Sequence, residues 1–331
     1  MGIRIAINGF GRIGRDVLKA LYNSNRNKQI TLVAINELES IETSVERLTR
    51  DETKASFDFD VVAGEGVLKI GADEVRYLSQ KNPVKLPWKA LDVDVVLECT
   101  GHFRQAEQAY MHYLAGAKKV LISSLSDDKV DATIVYGVNH QVLRADHKVV
   151  SNGSCTMNCL AQMAKVLNDH LGILSGLSTT LHAYNKDQVA EGVIEHSNSG
   201  GPLIPTQTFS PNSIGLILPE LEGRIDGTSV RLSTLNVALV DLTFTSKKQT
   251  TASDVNALMK KAANLSTTGI LKYNDEPLAS GRVLNDAASC IFDSTQTKVK
   301  QGHLVKVVAW FDNEWGFSNR MLDTAEAMMS C

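Results

Sequence analysis

The chain has 331 residues, more than one ordinary core organises, so two domains are expected. Hydrophobic residues make up 43% and charged residues 21%, a globular balance that excludes a disordered or fibrous protein. A formal net charge of -3 offers no general attraction to nucleic acid or an anionic membrane, and no run approaches the roughly 18 apolar residues of a membrane span.

Residues 1–8 run straight into a strand-like pattern without signal-peptide anatomy. Apolar β-branched runs then alternate with amphipathic stretches. Residues 3–7, 30–35, 93–97, 119–122 and 133–138 read as buried strands, and residues 13–22 as a helix. Continuous apolar runs of this kind suit a parallel sheet covered on both faces, so residues 1–150 are expected to form a doubly wound α/β domain. The pattern changes near residue 150. Ser154 reads as the cap of a helix that opens at Cys155 and reaches about residue 168. Alternating runs at 177–184, 228–245 and 304–311, with a helix over 252–265, predict an α+β domain over residues 151–314, built on a large, mainly antiparallel sheet. A final helix, 316–329, is expected to return to the first domain, so residues 315–331 go with it. Residues 189–215 are rich in Gly, Ser, Asn and Pro and read as a long surface loop, the kind that is usually functional.

The first strand leads into Gly9-Phe10-Gly11-Arg12-Ile13-Gly14, which opens the first helix. In that setting the glycines permit a tight turn and bring a pyrophosphate close to backbone N–H groups at the helix N-terminus. The next strand ends at Ile35-Asn36-Glu37. A carboxylate there accepts hydrogen bonds from ribose hydroxyls and repels a 2′-phosphate, which predicts NAD over NADP. A glycine turn with an incidental acid is the competing reading.

The cysteines are Cys99, Cys155, Cys159, Cys290 and Cys331. Their odd number and the lack of a disulfide framework point to free thiols in a reducing cytoplasm. Cys155 and Cys159 lack CxxC spacing, and no metal is expected. Cys155 sits just inside a predicted helix start, where the helix dipole and free N–H groups lower a thiol pKa. A thiolate attacks an aldehyde carbonyl to give a thiohemiacetal, hydride leaves to a nicotinamide, and a thioester remains. His182, at the end of the predicted strand 176–181, is the candidate base, and as an imidazolium it steadies the oxyanion beside the Cys155 N–H. On spacing alone, a packed core cysteine and a packed or surface histidine remain the default readings. Cys159, one helical turn on, reads as core.

Four blocks carry a resemblance: Asn8-Gly9-Phe10-Gly11-Arg12-Ile13-Gly14-Arg15, Ser151-Asn152-Gly153-Ser154-Cys155-Thr156-Met157-Asn158-Cys159, Thr179-Thr180-Leu181-His182-Ala183, and Trp310 through Arg320. Over essentially its whole length the chain resembles the phosphorylating glyceraldehyde-3-phosphate dehydrogenase family, with Leu86-Pro87-Trp88 and Asp312-Asn313-Glu314-Trp315-Gly316-Phe317 similar to the erythrose-4-phosphate dehydrogenase branch. The resemblance implies Cys155 as nucleophile and His182 as base. It implies pyrophosphate contacts from Arg12 and Ile13, ribose binding by Glu37, Arg76 beside the adenine, and Ser123 and Asn313 near the nicotinamide. Arg231, supported by Asp187 and Asn185, would hold the substrate phosphate. Ser154, Thr156 and Thr208 would surround an attacking inorganic phosphate. A short phosphorylated aldose as substrate and a homotetramer are implied as well.

The chain departs from the family pattern at several of these places. Asn185 replaces a threonine of the substrate-phosphate site, and Phe209 replaces a glycine whose N–H faces the attacking phosphate. Phe317 replaces a tyrosine. The loop 191–203 is shorter than usual and lacks an arginine-rich run, reading Glu195-His196-Ser197-Asn198-Ser199-Gly200-Gly201-Pro202. These changes suggest weaker phosphate binding, with water competing for the thioester. Three alternatives therefore stand beside glyceraldehyde 3-phosphate oxidation: erythrose 4-phosphate oxidation with hydrolysis to the free acid, a catalytically degenerate NAD-binding module, and a semialdehyde dehydrogenase.

Overall fold

The computed structural model describes residues 2–50, 55–183, 203–208, 210–232, 236–266 and 268–331. The chain divides into two compact units, one of residues 1–154 with 318–331 and one of residues 155–317. Among the described residues, no helix is long and apolar enough to cross a membrane.

The first unit is built on strands β1 (Ile3–Asn8), β2 (Ile30–Asn36), β3 (Val61–Gly64), β4 (Val67–Ile70), β5 (Asp73–Leu78), β6 (Val95–Glu98), β7 (Lys119–Ile122), β8 (Ala132–Thr133) and β9 (Val149–Ser151). They form one sheet in the order β3-β4-β5-β2-β1-β6-β7-β9-β8. From β5 to β8 every pairing is parallel. Every residue of β6 and β7 is buried, the terminal Glu98 and Lys119 included, as expected of strands covered on both faces. Helices α1 (Arg12–Asn23), α2 (Ile41–Thr49) and α3 (Ala106–Leu114) complete the crossovers. The strand order reverses at β1, with β2 on one side and β6 on the other. In open α/β sheets that point, at the carboxyl ends of the strands, is where ligands bind.

Two features of this unit differ from the sequence reading. The edge strands β3, β4 and β5 pair antiparallel, a hairpin extension of an otherwise parallel sheet. The strand expected over 133–138 stops at Thr133. Asn139 takes over its backbone groups: Val135 N donates to Asn139 Oδ1 at 2.8 Å and Asn139 Nδ2 donates to Thr133 O at 2.9 Å, closing a turn.

The second unit begins with α4 (Cys155–Leu171), which ends at Gly172 in a left-handed conformation with φ of 71°, later than the residue 168 expected. Its strands are β10 (Ile173–Ala183), β11 (Ile204–Gln207), β12 (Ile225–Leu232), β13 (Val237–Ser246), β14 (Leu271–Asn274), β15 (Cys290–Asp293), β16 (Lys298–Lys300) and β17 (Leu304–Asp312). The sheet runs β11-β12-β10-β13-β17-β15-β14, with β16 added on β17. The pairs β10/β12 and β14/β15 are parallel and the others antiparallel, so the sheet is mixed. Helix α5 (Ala252–Leu265) starts at a reciprocal Thr251–Asp254 cap.

Two expectations for this unit change. The single run over 228–245 is two strands, β12 parallel and β13 antiparallel to β10. Residues 204–207, inside the expected loop, form β11 on the edge of the sheet. The last helix, α6 (Trp315–Met329), starts on backbone N–H groups of Glu314 and Trp315 that donate to Asp312 Oδ1 at 2.9 and 2.7 Å. Its residues from Ser318 onward belong to the first unit. There Lys119 Nζ donates to Met328 O at 2.6 Å, Arg26 pairs with Asp323 at 2.6 Å, and Thr324 Oγ1 donates to Asn152 Oδ1 at 2.8 Å.

Candidate active site

Strands β1, β2 and β6 end at Asn8, Asn36 and Glu98. Beyond them lies a cleft of about 310 Å³, lined by Gly9, Gly11, Glu37, Gln80 and Thr100 among others. Gly9 has φ of 90°, and a Cβ there would meet Thr100 N at 2.7 Å. A Cβ on Gly14 would meet Gly9 O at 2.3 Å, so that glycine lets α1 close onto the turn. Gly11 differs from both, because nothing lies within 4 Å of where its Cβ would be. The turn is therefore open exactly where a ligand would approach the start of α1, whose first turn has no acidic residue and no side-chain cap.

Glu37 closes the head of this turn. Its Oε2 accepts from Phe10 N at 2.6 Å, and its Oε1 accepts from Leu38 N at 2.6 Å and Glu39 N at 3.3 Å. A carboxylate has about four acceptor positions, so capacity is left for a hydroxyl. The arrangement fits the adenosine diphosphate half of a dinucleotide. Arg12 and Ile13 are half-buried in the first turn of α1. Ser123, half-buried after β7, donates its backbone N–H to Glu98 O at 3.0 Å. Arg76 is exposed on β5 and is not among the residues lining the cleft. The lining also includes Lys81 and His102, which sequence reasoning does not pick out. Thr100, just past the third buried run, carries a signal that the switch-point rule could have found.

In the second unit, Cys155 opens α4 and is partly exposed, and its Sγ lies 3.5 Å from His182 Nε2. Burial pushes the thiol above its ordinary pKa, opposed by the Thr156 backbone N–H, by Arg231 and by the Thr156 hydroxyl. The expected lowering by the helix start is therefore present but outweighed by desolvation. A thiol of this kind needs a proton acceptor, and His182 is within reach of one transfer.

His182 is buried on β10, and its register partner on β12 is Arg231. Three groups surround His182 Nδ1: Arg231 Nη1 at 2.5 Å, Ala183 O at 2.9 Å and Asn313 Nδ2 at 3.4 Å. When Nδ1 carries the proton and donates to Ala183 O, Nε2 faces the thiol with its lone pair, the form a base needs. Asn313 follows β17 and is fixed by its backbone N–H, which donates to Asn236 O at 2.9 Å. Its Oδ1 is buried without a hydrogen-bond partner in the structure, an acceptor suited to an amide donor from a ligand.

Thr156 is buried beside Cys155, and Ser154 is half-buried just before the helix. Thr208 accepts from Ser210 N at 3.4 Å and lines a separate cleft with Pro205, Asn212 and Asp226. No described contact brings it to Cys155. Asn185, Asp187, Phe209 and residues 191–202 lie outside the described residues.

Residues 3–106 match the model of the glyceraldehyde 3-phosphate dehydrogenase NAD binding domain, and residues 154–313 that of the C-terminal domain of the same enzymes. The chain is 48% identical to the chromosomal glyceraldehyde-3-phosphate dehydrogenase of Cupriavidus necator, covering 99% of each. It is 47% identical to that of Pseudomonas aeruginosa, covering 99% of this chain and 98% of the relative, and 45% identical to that of Cereibacter sphaeroides, covering 99% of each. With both domains matched and similarity running end to end, this chain belongs to the glyceraldehyde-3-phosphate dehydrogenase family.

Proposed function

We propose that this chain oxidises glyceraldehyde 3-phosphate with NAD and inorganic phosphate to an acyl phosphate. The observation that carries the reading is the 3.5 Å approach of Cys155 Sγ to His182 Nε2 beside Arg231. Cys155 attacks the aldehyde carbon while His182 takes the thiol proton, and that proton passes to the carbonyl oxygen to give a thiohemiacetal. Bound NAD supplies the hydride acceptor that converts this carbon to a thioester. His182 takes the hydroxyl proton in that conversion. Inorganic phosphate then attacks the thioester carbonyl, the C–S bond breaks, and Cys155 leaves as thiolate.

Arg231, supported by Asn185 and Asp187, holds the substrate phosphate through charge-assisted hydrogen bonds. Ser154, Thr156 and Thr208 serve the attacking phosphate. In the cofactor cleft Gly9, Gly11, Arg12, Ile13 and Gly14 receive the pyrophosphate and Glu37 the ribose, while Arg76, outside the cleft lining on β5, meets the adenine edge from the solvent side. Ser123 and Asn313 orient the nicotinamide. The protein works in the cytoplasm as a homotetramer, which light scattering of the purified chain tests.

The deciding experiment is NADH formation with glyceraldehyde 3-phosphate or erythrose 4-phosphate, each with and without inorganic phosphate. Saturable phosphate dependence with the three-carbon aldehyde is expected. Preference for the four-carbon aldehyde, or turnover indifferent to phosphate, would overturn the assignment.

A further inference from the structure

We propose that Glu98 and His112 are positioning residues for cofactor binding, a buried ionised carboxylate and a tautomer-locked histidine that together fix the floor of the nucleotide cleft. The inference rests on the assignment of that cleft to the adenosine half of NAD.

The indole N–H of Trp88 donates to His112 Nδ1 at 2.9 Å. An indole nitrogen can only donate, so Nδ1 must present a lone pair and the ring proton must sit on Nε2. That proton points at Glu98 Oε2, 3.0 Å away. Asn8 Nδ2 donates to the same oxygen at 2.6 Å, while Thr100 N and Oγ1 donate to Oε1 at 2.8 and 2.5 Å. Four donors converge on Glu98, leaving no place for a carboxylic proton, so the group is ionised. A second proton on His112 would displace the indole, so the ring is neutral. Among the described contacts no cation touches this carboxylate.

The network continues into the cleft wall. Asn8 Oδ1 accepts from Asn36 Nδ2 at 2.7 Å, and Asn36 Oδ1 accepts from Gln80 N at 2.9 Å. Asn8, Asn36, Gln80 and Thr100 all line the cleft. One buried charge therefore ties together the ends of β1, β2 and β6. His112 and Trp88 are 0% exposed and Glu98 is 1% exposed, so water cannot substitute for a lost partner.

Calorimetric titration of the full chain with NAD tests this. Glu98→Gln keeps the shape but turns an amide NH2 either toward Asn8 and His112 or toward the Thr100 N–H, donor against donor in both orientations, and His112 cannot change tautomer while Trp88 holds it. About tenfold weaker NAD binding is expected, the size of one lost hydrogen bond to a charged group. Trp88→Phe frees Nδ1 to take a proton and pair with Glu98. Its NAD affinity is expected to depart from that of the parent as the pH is lowered. Glu37, Lys81, Cys99 and His102 face the cleft in both proteins and cancel in the difference. Unchanged affinity in folded Glu98→Gln, or a Trp88→Phe pH curve that overlays the parent curve, would overturn the proposal. Glu37→Gln separates the two levels. If it weakens NAD while the network variants do not, the positioning role fails alone. If it too has no effect, the cleft assignment fails.

Discussion

His182 and Arg231 are register partners across the parallel pair β10/β12, and the guanidinium approaches the imidazole Nδ1 at 2.5 Å. The same nitrogen lies 2.9 Å from Ala183 O. One nitrogen cannot accept from the first and donate to the second, so where Arg231 points and which tautomer His182 adopts are coupled.

Arg231→Leu separates phosphate binding from support of the base. Loss of one charge-assisted pair, about 2–3 kcal/mol, is expected to raise KM for glyceraldehyde 3-phosphate by roughly 10²-fold. KM for unphosphorylated glyceraldehyde should barely move. Equal losses on both substrates would assign Arg231 to His182 alone.

Replacement of His182 by Asn leaves Cys155 with no base. Because burial raises the thiol pKa, thiolate should then form only above the ordinary cysteine range. Iodoacetamide alkylation of Cys155 should shift to higher pH, and kcat should fall by about 10²- to 10⁴-fold. An alkylation profile identical to that of the parent would remove His182 from the role of base.

The two glycines of the first turn should respond in opposite ways to one methyl group. Gly14→Ala puts a Cβ 2.3 Å from Gly9 O and is expected to lower the melting temperature. Gly11→Ala meets nothing within 4 Å in the protein, so it should melt like the parent yet bind NAD more weakly. Unchanged NAD affinity in Gly11→Ala would place the pyrophosphate elsewhere.

Asp312 holds three backbone groups, the N–H of Glu314, of Trp315 and of Asn285, the last residue having φ of 63°. Asp312→Ala leaves these donors without their acceptor and is expected to cost about 2–3 kcal/mol in denaturant unfolding. A loss under about 0.5 kcal/mol would mean the donors find replacements.

Strands buried on both faces were legible as apolar runs, which is why β1, β2, β6 and β7 stand close to where the pattern puts them. The hairpin β3–β5 was not, because its residues alternate with charge, as in the exposed Lys69 and Glu74. Ala132–Thr133 ended early because a side chain, Asn139, captured the next backbone groups, a competition invisible to hydropathy. In the site, Gly9, Gly11 and Glu37 could be read because one turn and one strand end carry them. Cys155, His182 and Arg231 are separated by 27 and 49 residues and meet through helix start and strand register, so the residues alone offered Cys155 and His182 only as candidates and the resemblance added Arg231. Nothing in the sequence marks His112, which sits unremarked in a helical run.

The first unit is interrupted: residues 318–331 complete it, and residues 155–317 form the other unit. During synthesis residues 1–154 emerge first, but the bonds of Lys119, Arg26 and Asn152 to Met328, Asp323 and Thr324 form only when those residues follow. At about 5–20 residues per second, the whole second unit is made in between. The nucleotide-binding unit is therefore started before the second unit and completed after it, and its newborn form must wait, without these ties, for residues 318–331.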